Sequence, residues 1–305
     1  MKFIDLAQKG NNQALTYVMG ILLIFVLYFL GSLGIVADLV VNFPNLSLAS
    51  MDQEFYEVMG YNRFFFWVLL PFFLVFFGLI LHLKFGHKRT MLSAFTAANQ
   101  FRWKRFFFAF SLIMIVMGVL MSLQIYADYL QNSKVFTFQF DASKFIPLLL
   151  LSLVFLSIQT ACEELIFRSY IMQGLKLRIQ RTGVSIVLSA VMFGLMHIGN
   201  PEIQEIGYHM LVYYILSGLF LSFITAVDDG LELAIGYHFA NNLIAALFIT
   251  TDWQVFRTDA LFLSHEKPGD GWSSLIFLVI FLPSLVLLFK RIYKWPSWKE
   301  IFQSM

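Results

Sequence analysis

A chain of 305 residues that is 59% hydrophobic and 13% charged, with 36 phenylalanines, is too apolar for an ordinary soluble domain. Its formal net charge of +2 rests on basic residues gathered at the ends of apolar runs, so they serve topology and imply no nucleic-acid partner. One cysteine, Cys162, excludes an intrachain disulfide framework and a cysteine-based metal cluster, and a lone thiol in an apolar segment reads as packing.

The apolar runs predict an all-α, polytopic transmembrane bundle of about eight spans. They lie at roughly 15–37, 64–83, 106–126, 145–172, 184–199, 208–227, 231–250 and 273–289. The first is longer than a signal-peptide core and lacks a small-x-small cleavage site, so it reads as a retained span. The fifth is short and ends at His197 and Gly199-Asn200-Pro201, which suits a helix in the interior of the bundle.

Basic residues set the orientation. Lys2 and Lys9 precede the first span, and Lys84, Lys88, Arg89, Arg102, Lys104 and Arg105 follow the second. Lys176, Arg178 and Arg181 follow the fourth, and Lys290, Arg291, Lys294 and Lys299 follow the eighth. The alternate loops are acidic or mixed, with Asp38, Asp52, Glu54 and Glu57 in the first. Both termini are therefore expected in the cytoplasm. The turn Asp228-Asp229-Gly230 is the one inner loop without Lys or Arg. The basic stretch 84–105, interspersed with Phe95, Phe101 and Trp103, suggests an amphipathic helix lying on the inner leaflet.

The first three spans carry no interior charge, whereas the block 145–250 carries every candidate site residue. Glu163 and Glu164 stand inside an apolar run, where ionisable groups cost a few kcal/mol each and mark function by default. Glu164 and Arg168 are spaced i,i+4 with the acid first, the better orientation for an ion pair. Glu163 points about 100° away, shares its stripe with Gln159, Phe167 and Tyr170, and needs a partner from another helix. If the fourth and fifth spans form a hairpin, His197 lies at the depth of Glu163, roughly 25 Å from the turn. Phe193 precedes His197 by one turn. His238 and Asn242 share a face of the seventh span and would serve as donors to a developing oxyanion. His209 stands at the start of the sixth. Taken singly, a His or Asn in a span is helix glue more often than a ligand. Five such residues in three nearby spans point to a catalytic or transport site.

These residues resemble the CPBP family, the CAAX proteases and bacteriocin-processing enzymes related to Ras-converting prenyl endopeptidases. The resemblance is carried by E-E-L-I-F-R at 163–168, F-G-L-M-H at 193–197 and H-F-A-N-N at 238–242, in that order and each on its own apolar segment. It implies an intramembrane endopeptidase whose catalytic residues are Glu163, Glu164, His197, His238 and Asn242, supported by Arg168 and Phe193. Glu163 with His197 would activate a water, His238 with Asn242 would stabilise the oxyanion, and Glu164 with Arg168 would orient the rest. Glu163, His197 and His238 would also suit zinc, and a metal-free, glutamate-activated water is the alternative. The implied partners are a peptide or protein substrate, lipidated or not, and membrane lipids, in the inner (cell) membrane of a bacterium.

The expected organisation is a catalytic core at 145–250 between accessory helices (1–144) and a last span with a cytoplasmic tail (251–305). Two other readings use the same polar cluster. One is a proteolytically silent regulator or bacteriocin immunity factor; the other is a proton-coupled transporter. Against the latter, no paired halves with broken helices are visible.

Overall fold

The computed structural model describes residues 1–45 and 53–303, so Asp52 of the first acidic loop lies outside the described residues. The helices are α1 (Ala14–Asn42), α2 (Gln53–Met59), α3 (Tyr61–Phe85), α4 (Trp103–Gln131), α5 (Ala142–Ile179), α6 (Thr182–Leu195), α7 (Pro201–Ile206), α8 (His209–Asp228), α9 (Glu232–Leu247), α10 (Trp272–Tyr293) and α11 (Trp298–Gln303). Strands β1 (Phe136–Phe138), β2 (Ile249–Thr250) and β3 (Phe262–Ser264) form one small sheet in the order β1-β3-β2, antiparallel then parallel. The architecture is an all-α polytopic bundle, and the chain is an integral membrane protein.

Six helices among the described residues are long and apolar enough to cross a membrane: α1, α3, α4, α5, α8 and α10. The other two expected spans are helical but short. α6 has 14 residues and gives way at Met196 to a tight turn that ends at Asn200-Pro201. α9 has 16 residues and runs into β2. Both fall below the roughly 20 residues that a lipid-facing span needs. α9 is tolerated because it is buried along nearly its whole length, with Gly236 seated against the backbone of Phe106 in α4. By contrast, only 11% of the apolar window of α1 and of α4 is buried, which leaves Phe25, Phe29, Ile115 and Leu123 facing outward, as a lipid contact requires.

Small residues let the helices approach. A Cβ on Gly31 of α1 would stand 2.6 Å from the Cα of Pro71 in α3. The largest apolar cluster joins Ile113 of α4, Phe220 and Ile224 of α8, Leu233 and Tyr237 of α9, and Leu282 and Phe289 of α10.

The two ends of the bundle differ in charge. At one end the chain's N-terminal 3₁₀ turn, Phe3–Lys9, is plugged into the helices. Phe3 donates its backbone N–H to Asp229 (2.8 Å) and accepts from Gln173 Nε2 (2.9 Å). The stretch 84–105 is not an amphipathic helix on a leaflet. It folds back as a short 3₁₀ turn, Met91–Ala94, pairs Thr96 with Gly230, and buries His87, Arg89 and Thr96. Its purpose is visible in the ion pairs: Arg102 bonds Glu232 (2.6 Å) and Asp228 (3.2 Å), and Arg105 pairs with Asp228. The acidic turn without its own basic residues is thus neutralised by arginines from the preceding basic loop. Trp295, beyond α10, adds a hydrogen bond to Asp228 (2.8 Å). At the opposite end, Arg63 pairs with Asp38, Trp67 Nε1 donates to Asp38 (2.6 Å), and the small sheet ties the segment after α4 to those after α9.

Candidate active site

α5 is a 38-residue helix with two π-helical stretches, Ser152–Leu156 and Leu165–Ile171, and the glutamates sit on the regular segment between them. Such i→i+5 turns inside an α-helix are frequent at functional sites, because they shift which side chains share a face. Glu163 is 8% exposed and Glu164 and Arg168 are fully buried. Arg168 bonds Glu164 (3.0 Å), reaches the carbonyl of Gly218 on α8 (3.4 Å), and lies over the Phe193 ring at 4.2 Å. That contact gives Phe193 of α6 its place: it is the floor on which the guanidinium rests.

α9 brings His238 between the two carboxylates. Its Nδ1 is 2.7 Å from Glu164 Oε1 and its Nε2 is 3.5 Å from Glu163 Oε2. On the other side of Glu163, Gln159 Nε2 donates to Oε1 at 2.6 Å, and Asn242 Nδ2 meets Gln159 Oε1 at 3.5 Å. The result is one continuous chain: Asn242, Gln159, Glu163, His238, Glu164, Arg168.

The remaining residues fall in different places. α5 and α6 do form a hairpin, with Phe167 edge-on to Phe193 (5.3 Å) and Ser189 Oγ donating to the Phe167 carbonyl (2.7 Å). His197 lies just past the end of α6, where its Nδ1 donates to the Phe193 carbonyl (2.8 Å) and its ring stacks on Tyr214 of α8 (4.2 Å). Among the described residues its Nε2 has no hydrogen-bond partner. The imidazole in contact with Glu163 is therefore that of His238, and Asn242 reaches the site through Gln159. His209 is remote from this chain and stacks on Trp272 (5.6 Å). Two residues outside the three motifs emerge as part of the site. Gln159 had a signal, since it stands one turn before Glu163 on an apolar helix. Tyr214 had none, because its partner comes from another helix.

Glu163, His197 and His238 are the donors that a zinc ion would take. Among the described residues no three His, Cys, Asp or Glu side chains converge closely enough to hold a metal ion. His238 Nε2 stands 3.5 Å from Glu163 Oε2, while the His197 ring is stacked on Tyr214 (4.2 Å) and does not complete a convergent group with them. The arrangement does not fit a three-ligand site.

Residues 144–244 match the family described as type II CAAX prenyl endopeptidase Rce1-like. The matched segment, about a third of the chain, supports a likeness to the CPBP family there. The match contains every residue of the chain from Gln159 to Asn242. The protein is also similar to the uncharacterized protein YyaK of Bacillus subtilis (strain 168), 26% identical over 280 residues, which is 89% of this chain and 90% of that one. No solved structure matches the chain.

Proposed function

We propose that this protein is a CAAX-type intramembrane endopeptidase that hydrolyses a peptide bond with Glu163 as the base. The observation that carries the reading is the run of polar contacts from Asn242 to Arg168, which holds one carboxylate (Glu163) 3.5 Å from an imidazole that a second carboxylate orients through a hydrogen bond. A base, a proton partner and a third group that fixes the partner are the parts that hydrolysis requires.

In this mechanism Glu163 takes a proton from a water, and the water oxygen bonds to the scissile carbonyl carbon. The carbonyl oxygen becomes an oxyanion and accepts hydrogen bonds from His238 and Asn242. The C–N bond then breaks, and the proton held by Glu163 passes to the leaving amine. Glu164 and Arg168 keep His238 in place, and His197 accepts a hydrogen bond from the water through Nε2. The substrate class is a peptide or protein terminus at the membrane, prenylated or otherwise lipidated or unmodified. The cell membrane of a bacterium is the proposed location, with the basic end of the bundle inside.

The test is cleavage by detergent-purified protein of a panel of prenylated and unmodified C-terminal peptides, read by mass spectrometry. Glu163→Gln keeps the acceptor for Gln159 and removes the base, so cleavage falls by about 10²–10⁴-fold with an unchanged elution profile. Glu163→Gln cleaving as fast as wild type would sink the mechanism.

A further inference from the structure

A row of buried polar atoms leads away from the glutamates toward the basic end of the bundle. On α5, Glu164 Oε2, Arg168 Nε, Ser169 Oγ and Gln173 Oε1 have no hydrogen-bond partner among the described residues, and all four residues are fully buried. On α8, Ser222 Oγ and Thr225 Oγ1 are in the same condition. The spacing puts them in file. Through the π-helical stretch, residues four to five apart share a side, which aligns 164, 168–169 and 173. Residues 218, 222 and 225 share one face of α8. The two rows are tied together at both ends, by Arg168 on the Gly218 carbonyl and by the packing of Met172 with Ala226 and Ile4.

The third wall of this seam is α6, where Thr182, Ser185 and Ser189 are buried. They do not satisfy the row: Ser189 Oγ donates to the Phe167 carbonyl and Ser185 Oγ to the Arg181 carbonyl. Beyond Thr225, the next residue of α8, Ala226, lines a cavity of about 260 Å³ whose walls also include Ile4, Thr182, Val227 and Asp229. Ile4 and Ala226 belong both to this wall and to the packing around Met172, so the cavity adjoins the seam.

Serines and threonines between membrane helices commonly bond across the helix interface or back to their own turn. Ser169, Ser222 and Thr225 do neither. Buried polar groups in a native fold find a partner, and where protein supplies none, an ordered water with about three hydrogen bonds does. We propose that this seam binds a file of water molecules that connects the cavity at the basic end with the Glu164–Arg168 pair. The chemistry of the row suits it, since the hydroxyls both donate to and accept from water while the Gln173 amide oxygen accepts from it. That the file replenishes the water consumed in peptide hydrolysis rests on the proteolysis reading; its hydration does not.

The test reads thiol accessibility and needs no substrate. Ser169→Cys, Ser222→Cys and Thr225→Cys are made singly in a Cys162→Ala background and exposed, in lipid nanodiscs, to silver ion, a thiol reagent small enough for a water file. Thiols left free are titrated after denaturation. Cys162 of the wild type, buried in the apolar face of α5, is the dry reference. The expected result is blocking at all three positions at least 100-fold faster than at Cys162, fastest at Thr225→Cys beside the cavity. Adding Ala226→Phe at the cavity wall slows all three at least tenfold. Thiols as inert as Cys162 in protein that elutes as a single folded species would overturn the proposal, and so would rates that Ala226→Phe leaves untouched. A second measurement uses the wild type as it stands: X-ray radiolysis of bound water oxidises adjacent side chains. Met172 is fully buried beside the row, so its oxidation supports the file and its survival overturns it.

Discussion

Removing the guanidinium of Arg168 isolates the energetic role of the buried pair. Arg168→Met keeps the length of the side chain and its apolar stem but leaves Glu164 charged, 0% exposed and held only by His238. Breaking a buried ion pair by deleting one partner costs about 3–5 kcal/mol. The lost contact over Phe193 at 4.2 Å adds about 2 kcal/mol for a desolvated cation–π pair, which places the total near the top of that range or above it. Glu164→Gln in the same chain removes the stranded charge while an amide oxygen still accepts from His238 Nδ1. The double variant is therefore more stable than Arg168→Met alone, and the coupling energy of the cycle is about 2–4 kcal/mol. The assay is unfolding by SDS titration in mixed micelles, followed by circular dichroism, on wild type, both singles and the double. Additivity within about 0.5 kcal/mol would refute the reasoning, because it would mean that Glu164 is not compensated by Arg168.

Three further outcomes follow from particular contacts. Gln159→Leu removes the 2.6 Å donor to Glu163; a hydrogen bond to a charged group contributes about 1.5–3 kcal/mol, so kcat on a cleaved peptide falls about 10–100-fold with KM little changed. An unaltered kcat would remove Gln159 from the site. His87 donates Nδ1–H to the Asn11 carbonyl (2.8 Å) and its Nε2 meets the Tyr170 hydroxyl (3.1 Å), and burial pushes its pKa down from 6.5 to about 4. The folded state thus binds its proton less readily than the unfolded chain, so this stability is complete above about pH 6.5 and is lost as the pH falls toward 4. Thermal midpoints measured across that window should fall less steeply in His87→Phe, and an identical acid limb would contradict the assignment. Gly31→Leu drives a side chain into the Pro71 backbone, which cannot step aside, and destabilises by about 1–3 kcal/mol in the same SDS titration; a neutral result would show that α1 and α3 are not packed as described.

The membrane architecture was legible because it is encoded locally. An apolar run of sufficient length must satisfy its backbone internally, so each of the eight expected segments is helical whatever its neighbours do. The Glu164–Arg168 pair was legible for the same reason: both residues lie on one helix one turn apart. The two short helices were harder to read, since hydropathy marks where a segment is apolar but not where a tight turn or a strand cuts it off. The basic stretch 84–105 was misjudged because its charge is answered by Asp228 and Glu232, which are more than 120 residues away in the chain.

What the sequence by itself determined is the set of polar groups that the membrane interior will hold and the helices that carry them. Only the tertiary structure decided which of them meet. That His238 faces Glu163 while His197 stacks on Tyr214, that Gln159 links Asn242 to the base, and that Arg168 lies on Phe193 all depend on the rotation and depth of α5, α6, α8 and α9 relative to one another. Those settings come from packing over whole helix surfaces, with the π-helical turns of α5 shifting the phase of its faces, and no local pattern records them.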